Sequence, residues 1–341
     1  MTKKSFSWNR VTVGLGAFLA GAVVTVSAES PVTTARLVPD WELGQSVTLV
    51  WPEHVPGQRG AVGSYVELIR SLPTSAEVAL VSSDPPRVRW LQEMGREVRY
   101  LALPGIRDLR VGDWGPLPAA HPNGRLFGAQ FSPPALNAEE RGRVRARDVA
   151  RWSAALSGLI YGDGELIDLA LSAPHLVHNG RDIALLSNRV IAENEQLSLQ
   201  AIRERLKSSF GLEHVIFLPA PAGDATGGIH AGVRFVAPDQ LLLADIPDDP
   251  WSQQAREVLE GTLPDDVQVH AVPLASGSIA EDQGNYLRFV QVGNQIWLPA
   301  FDIPSDESVL ITLREVLPDH EFLPIPLPAL DYPLNRLIKV Y

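Results

Sequence analysis

The sequence has no cysteine among its 341 residues. A chain without cysteine has no thiol nucleophile, no thiolate metal ligand, no disulfide and no attachment point for a lipoprotein lipid. Stability must therefore come from an apolar core. With 45% hydrophobic and 20% charged residues, the composition is that of a globular protein with ample material for one.

Basic residues are also scarce. The chain has 29 lysines and arginines against 40 aspartates and glutamates, a formal net charge of -11. Nucleic-acid binding needs a basic face that neutralises phosphates, and no basic cluster is visible. We therefore expect a small molecule or a protein as partner, and no nucleic acid. No motif predicts a cofactor.

The sequence has one long uncharged run, near its N-terminus. Residues 11–26 carry no charge, and the segment before them carries Lys3, Lys4 and Arg10 with no acid. A basic segment followed by a short apolar run is typical of an export signal. We expect an exported protein, in the periplasm or outside the cell.

The end of this run has small residues, Val26 and Ala28, at the spacing that a signal peptidase recognises. The sequence thus predicts a signal peptide at 1–28, a single domain at 29–341 with a net charge of -14, and no membrane association after cleavage. An uncleaved anchor is the alternative. A spanning helix needs about 20 apolar residues, and this run is shorter and interrupted by glycines and threonines.

One structural unit recurs along the rest of the chain. An amphipathic helix pattern, a turn and an apolar strand-like run occur five times, and the turns near Ser157, Ser208, Gly261 and Glu315 are spaced by 51, 53 and 54 residues. The five copies are YVELIRSLPTSAEVALV, VARWSAALSGLIYGDGELIDLAL, IRERLKSSFGLEHVIFLP, AREVLEGTLPDDVQVHAVPL and LITLREVLPDHEFLPIPL. The first interval is longer because it holds an extra helix and strand, VRWLQEMGREVRYLALP.

Further strand-like runs precede these copies. Two pairs are predicted hairpins, with Pro238-Asp239 and Gly293-Asn294 as turn residues. Each unit then has the order strand, strand, helix, strand, which predicts an α/β fold. Five units in a ring would bury their helix-facing sides and leave a central channel lined by strand ends and loops. A linear solenoid is the alternative, but no polar capping repeat is present, which favours closure.

Five stretches of the chain occur in an order that matches a known family. They are residues 40–52 (Asp-Trp-Glu, then a strand ending in Trp-Pro), 108–116 (DLRVGDWGP), 179–190, 224–235 and 285–299. In this order they resemble the agmatine deiminase and bacterial peptidylarginine deiminase family. The resemblance implies the pentein fold, a five-bladed α/β propeller with pseudo-fivefold symmetry, over nearly all of 29–341.

The resemblance also implies a catalytic set, from which this sequence departs. In the family a cysteine thiolate attacks a guanidinium carbon, a histidine transfers protons and two carboxylates bind the cation. Matching the motifs assigns other residue types to these positions. Gly228 stands for the histidine, Ser172 and His230 stand for the carboxylates, and Lys339 stands roughly for the cysteine.

The loop 108–116 is only partly changed. Asp108 and Asp113 are retained, whereas Arg110 replaces a tryptophan and Gly112 an arginine of the family signature. A shifted register would make His230 the proton-transferring histidine, but the neighbouring positions would then not match. Since the lack of cysteine does not depend on alignment, we expect no deimination of the family type and no catalytic residue at these positions.

The candidate ligand-binding residues are Asp108, Arg110, Asp113, Trp114 and His230. His230 lies among glycines, which let a backbone approach a ligand closely, and the resemblance assigns it to the central channel. A turn histidine without function is the alternative. The two aspartates lie in a Gly/Pro-rich loop, and solvated carboxylates are their alternative. Trp114 is predicted to pack and hold this loop.

Lysine and histidine offer two further interpretations. A desolvated Lys339 would be an amine nucleophile, but its position near the chain end predicts a solvated side chain. His175 and His178 flank a strand-like run on opposite faces, with no third ligand, so we expect surface or hydrogen-bonded histidines and no metal site.

Two functions are compatible with the sequence. The first is an exported, non-deiminating family member that acts as a binding or interaction protein. In it Asp108 and Asp113 would pair with Arg110 and Lys339, and the pocket would favour a carboxylate or phosphate over a guanidinium. The second is a hydrolase of agmatine, peptidyl-arginine or another small molecule, with a site rebuilt around His230, Lys339, Asp108 and Asp113.

Overall fold

The structure is a computed structural model that describes residues 34–44, 46–134, 146–223, 227–326 and 332–341. The predicted signal peptide 1–28 lies outside the described residues. So do Asp224 and Thr226 of the fourth family-like stretch.

The described strands are numbered in chain order. They are β1 (Arg36–Leu37), β2 (Ser46–Val50), β3 (Glu77–Ser82), β4 (Val98–Ala102), β5 (Leu117–Ala120), β6 (Leu126–Ser132), β7 (Gly164–Ala170), β8 (Leu176–His178), β9 (Ile183–Ser187), β10 (His214–Leu218), β11 (Val233–Ala237), β12 (Gln240–Asp245), β13 (Gln268–Pro273), β14 (Val290–Val292), β15 (Gln295–Ala300), β16 (Glu321–Pro326) and β17 (Lys339–Val340).

The described α-helices are α1 (Val62–Ser71), α2 (Val88–Met94), α3 (Val111–Trp114), α4 (Ala146–Tyr161), α5 (Arg189–Glu193), α6 (Leu199–Phe210), α7 (Pro250–Thr262), α8 (Ser305–Val316) and α9 (Leu334–Leu337). Short 3-10 helices also occur, among them Asp40–Glu42 and Ala173–His175.

The helices begin and end where local chemistry dictates. Ser198 accepts a hydrogen bond from the N–H of Ala201 at the start of α6, and Gly211 ends that helix with a φ of 70°. Residues at a spacing of four, Ile202, Leu206 and Phe210, form its buried face. Burying each such side chain stabilises the fold by roughly 1.5–3 kcal/mol.

The described strands form five sheets, one for each predicted unit. In four of them an antiparallel hairpin is followed by a helical crossover to a parallel third strand. These are β5-β6-β7, β8-β9-β10, β11-β12-β13 and β14-β15-β16. The hairpins predicted around Pro238-Asp239 and Gly293-Asn294 are β11-β12 and β14-β15, which confirms the order strand, strand, helix, strand.

The remaining blade is assembled from distant parts of the chain. We call the strand of each blade that lies nearest the ring axis its inner strand. In this blade the inner strand is β17, where Lys339 lies opposite Thr48 and Val340 opposite Val47 of β2. Strand β2 then pairs in parallel with β3, and β3 with β4, which is the extra strand that the sequence contains. This pairing closes the ring, as the sequence predicts.

Helices join neighbouring blades. The crossover helix of one blade contacts the last strand of the blade before it: α6 contacts β7, α7 contacts β10, α8 contacts β13 and α1 contacts β16. The last of these contacts links the two ends of the ring. The inner strands, by contrast, face the ring axis, where a cavity lies.

Candidate functional site

A cavity of about 120 Å³ lies on the ring axis. Residues from the inner strands β5, β8, β11, β14 and β17 all contribute to its lining, and we refer to it as the axial cavity. Its titratable lining residues are Asp40, His178, His230, Arg234 and Lys339. The sequence assigned only two of these, His230 and Lys339, to a site.

Arg234 is held on β11 by three contacts. Its Nη2 atom lies 3.6 Å from Oδ2 of Asp40, and its Nη1 atom donates to the carbonyl oxygen of Phe289 at 3.2 Å. The central carbon of the guanidinium lies 4.5 Å from the centre of the Phe289 ring. Burial lowers the pKa of the Arg234 guanidinium, and Asp40 opposes that shift. The side chain thus presents a fixed positive charge to the axial cavity.

Lys339 is buried, so the expectation of a solvated side chain was wrong. Only 9% of the residue is exposed, because β17 pairs with β2 inside the ring instead of fraying at the chain end. Burial lowers the pKa of the Lys339 ammonium, Asp40 raises it and the nearby Arg234 lowers it further. Among the described residues, none forms a hydrogen bond or ion pair with this ammonium.

His178, at the end of β8, is half-buried and lines the axial cavity. Its Nδ1 atom accepts a hydrogen bond from the N–H of Gly180 at 3.2 Å, which fixes the neutral tautomer with the proton on Nε2. Burial, and then Lys339, Arg36 and Arg234, lower the pKa of His178 to about 3. The ring is therefore a neutral donor at physiological pH.

His230 also lines the axial cavity, as the resemblance implied. Burial lowers its pKa well below the ordinary value, and the positive charges of Arg288, Arg336 and Arg234 add to the shift. The backbone of Pro174 opposes this shift, although no described group meets Nδ1 in good hydrogen-bond geometry. An unpartnered buried nitrogen is costly unless a ligand or water satisfies it.

A second cavity of about 110 Å³, which we call the loop cavity, contains the candidate residues of the loop 108–116. It is lined by Asp108, Arg110, Asp113, Trp114 and Ser172, among others. Leu117, Ala173 and Pro174 line both cavities and so form the wall between them. The candidate residues are thus divided: these five line the loop cavity, and His230 and Lys339 line the axial cavity.

Each of the two retained aspartates forms an ion pair with an arginine. Arg110 binds Asp108 with Nε to Oδ1 at 2.9 Å and Nη2 to Oδ2 at 2.8 Å, the pairing that the sequence predicted. Asp113 is bound instead by Arg336, whose Nε lies 3.0 and 2.9 Å from its two oxygens. The expected pair between Asp113 and Lys339 is wrong, because Lys339 faces the ring axis.

Gly112 explains why α3 and α9 lie close enough for the pair between Asp113 and Arg336. A Cβ atom at position 112 would lie 2.1 Å from the carbonyl oxygen of Asn335, so no side chain fits there. The arginine that the family signature has at this position therefore has no room in this protein.

Trp114 packs as predicted, with 6% of the residue exposed and its ring centre 5.9 Å from that of Trp152. His175 is 2% exposed, and its Nδ1 lies 3.4 Å from Oγ of Ser172. Both His175 and His178 are hydrogen-bonded, which was one of the two states that the sequence predicted for them. The two rings line different cavities, and no group of three or more potential metal ligands occurs among the described residues.

Gly228 is matched to the family histidine, and Pro174 fills the space that a side chain at position 228 would need. A Cβ atom there would lie 2.7 Å from Cβ of Pro174 and 3.1 Å from Nδ1 of His230. A histidine side chain would have to displace Pro174. The local structure is therefore built for glycine and proline at these two positions.

Comparison with known proteins defines the class. The family model of the Porphyromonas-type peptidyl-arginine deiminase matches residues 36–332, and the chain belongs to this family. The agmatine deiminase of Pseudomonas aeruginosa (strain LESB58) is 24% identical over 351 residues, covering 85% of this chain and 90% of that protein. The agmatine deiminase of Pseudomonas fluorescens is 23% identical over 353 residues, covering 84% and 89%.

Solved structures agree on the fold. The agmatine deiminase of Enterococcus faecalis matches with a TM-score of 0.76 at 15% identity, over 90% of this chain and 95% of that one. The agmatine deiminase of C. jejuni matches with a TM-score of 0.71 at 19% identity, over 90% and 96%. The predicted pentein fold is confirmed. No helix in the part of the chain that the structure describes is both long and apolar enough to span a membrane.

Proposed function

We propose that this family member does not deiminate guanidino compounds and acts instead as a binding protein for a small molecule or another protein. The observation that carries the proposal is the lack of any cysteine in the sequence, combined with the positive axial cavity. The family-type reaction needs a thiolate to attack the guanidinium carbon. The position nearest to that nucleophile holds Lys339, a cation that repels such a substrate.

The loop cavity supports the same proposal. A guanidinium ligand needs carboxylates that are free to bind it, yet Asp108 and Asp113 are each bound by an arginine within the protein. An entering cation would have to displace Arg110 or Arg336 and lose its own hydration, with no net gain in ion pairs. We infer that the site disfavours agmatine and peptidyl-arginine.

A second candidate is a hydrolase with a rebuilt, cysteine-free site. It is favoured by the similarity to agmatine deiminases over 85% of the chain and by the buried amine of Lys339. Against it stands the wall between the cavities, because His230 and Lys339 line one and Asp108 and Asp113 line the other. A single substrate would not contact all four.

Enzyme assays separate the two candidates. We expect no ammonia and no ureido product from agmatine, arginine or peptidyl-arginine. The variant Lys339→Cys should also remain inactive, because its thiol would have no proton relay and no positioned substrate. Product formation that is lost in both His230→Ala and Lys339→Ala would favour the hydrolase, and rescue by Lys339→Cys alone would contradict our assignment of the catalytic positions.

We also propose that the protein is exported and that residues 1–28 are removed, on the charge and apolar pattern of that segment. The expected mature protein starts at Glu29, stays free of the membrane and does not bind nucleic acid. Mass spectrometry of the protein purified from its native host measures the N-terminus. A major species that retains Met1 or Thr2 would refute cleavage.

A further inference from the structure

We propose that the axial cavity binds a small carboxylate with a short apolar body, held by Arg234 and Lys339. This inference rests on the binding role proposed above and names the chemistry of the ligand. It depends on three properties of the cavity, namely its charge, its free hydrogen-bond donors and its walls.

The charge comes first. Of the titratable groups that line the cavity in the described part of the chain, Arg234 and Lys339 are cations, and Asp40 is the one carboxylate. Asp40 lies 3.6 Å from Arg234 with 34% of its side chain exposed, and it also attracts Lys339, so one partly exposed carboxylate faces two cations. Uncompensated positive charge inside a protein is costly, and an anion within the cavity would offset it.

The donors are positioned for an anion. The Lys339 ammonium has no partner among the described residues, and Arg234 uses one N–H for the Phe289 carbonyl while the Phe289 ring covers its face. The other guanidinium N–H groups donate to no described residue, because Asp40 lies 3.6 Å from Nη2, beyond hydrogen-bond distance. A planar carboxylate that competes with Asp40 would therefore meet the fork of donors that suits it. The Nε2–H of His178 adds a neutral donor.

The walls select for an apolar body. The cavity of about 120 Å³ is several times larger than the space that one water needs in the same measure. Apart from the titratable groups, Gln291 and Asn335, its lining residues are apolar, with Val38, Trp41, Leu117, Phe235 and Ile338 among them. A carboxylate with a short hydrocarbon chain satisfies the cations and the walls together, whereas inorganic phosphate satisfies only the cations.

The test is calorimetric titration of the purified protein with butyrate, acetate, inorganic phosphate, butanol, butylamine and agmatine at one ionic strength. We expect butyrate to bind with a stoichiometry of one, more tightly than acetate or phosphate, and the alcohol and both amines not to bind. Tighter binding of phosphate than of butyrate, or equal binding of butanol, would overturn the proposal.

Variants locate the site. Lys339→Met keeps the length and bulk of the side chain and should weaken butyrate binding about tenfold or more, because a hydrogen bond to a charged donor is lost. Lys207→Met is the matched control, since Lys207 is an exposed lysine paired with Glu213, and it should leave the affinity unchanged. Should Lys339→Met fail to fold, Asp40→Asn gives an independent result. Removing the competing carboxylate should tighten butyrate binding severalfold.

The outcomes distinguish this inference from the proposed function. No butyrate binding at millimolar concentration, or binding that is unchanged in both Lys339→Met and Asp40→Asn, would overturn the anion site. The ammonia assay on agmatine would still stand as the separate test of the non-deiminating role. Conversely, ammonia release together with Lys339-dependent butyrate binding would refute the proposed function and leave the anion site in place.

Discussion

The neutral His178 ring makes the stability of the protein depend on pH in a predictable way. Its pKa is about 3 in the folded protein and 6.5 in an unfolded chain. Between these values the unfolded chain binds a proton that the folded protein does not bind. The free energy of unfolding therefore falls as the pH decreases below 6.5, by about 1.4 kcal/mol per pH unit, and the loss ends near pH 3.

The size of the effect follows from these two values. Between pH 7.5 and pH 5.0, His178 alone should cost about 2 kcal/mol of the free energy of unfolding. The pKa of His230 is also lowered, so its contribution has the same sign and overlaps this range. A variant is therefore needed to isolate the share of His178.

We expect His178→Asn to remove that share. The Asn oxygen can replace Nδ1 as acceptor for the N–H of Gly180, but it does not titrate. In urea denaturation at both pH values, the loss of stability between pH 7.5 and pH 5.0 should be smaller by about 2 kcal/mol in this variant. His214→Asn is the matched control, because His214 is exposed, and it should lose as much stability as the parent. An equal loss in His178→Asn and the parent would refute the reasoning.

Two further substitutions test the close contact between α3 and α9, each measured by urea denaturation. Gly112→Ala should destabilise the protein by about 2 kcal/mol or more, because its Cβ atom would meet a backbone carbonyl at 2.1 Å, whereas Gly60→Ala, with no atom within 4 Å, should change little. Arg336→Gln should cost about 2–4 kcal/mol, because it leaves a carboxylate that is only 14% exposed with its closest remaining cation, Arg110, at 3.9 Å. Arg205→Gln removes an ion pair with an exposed carboxylate and should cost less than about 1 kcal/mol. Equal effects of the paired variants would contradict both assignments.

The fold was predictable from the sequence because its signal is repeated. One unit with a constant order of helix, turn and strand occurs five times, so an error in one copy is corrected by the others. The hairpins at Pro238-Asp239 and Gly293-Asn294 were predictable because turn residues act locally. Closure of the ring followed from the lack of capping repeats.

The site was less predictable, because it depends on contacts between distant strands. Lys339 was expected in solvent on account of its nearness to the chain end, and no local pattern reveals that β17 pairs with β2. The pairing of Asp113 with Arg336 joins residues 223 positions apart and was missed for the same reason. The carboxylates themselves were found, because the family-like loop marks them.

The repeat also relates the residues that meet on the axis, His178, Arg234 and Lys339. Each lies on the inner strand of its blade, and His178 and Arg234 are 56 residues apart, close to the spacing of the repeated turns. By strand register, Arg234 and Lys339 hold matching positions, each opposite the third residue of the neighbouring strand, whereas His178 lies opposite the second residue of β9. In a closed ring, an equivalent position in successive units faces the same channel.

The blade that β17 completes has a consequence for the order of folding. Strand β2 is synthesised early, but its partner β17 emerges only after the four other blades, nearly 300 residues later. Until then one edge of β2 carries unpaired backbone N–H and C=O groups, an edge that can pair with another chain. The first blade in the sequence is therefore the last to be completed, and the growing chain must reach β17 with its earliest strand still open.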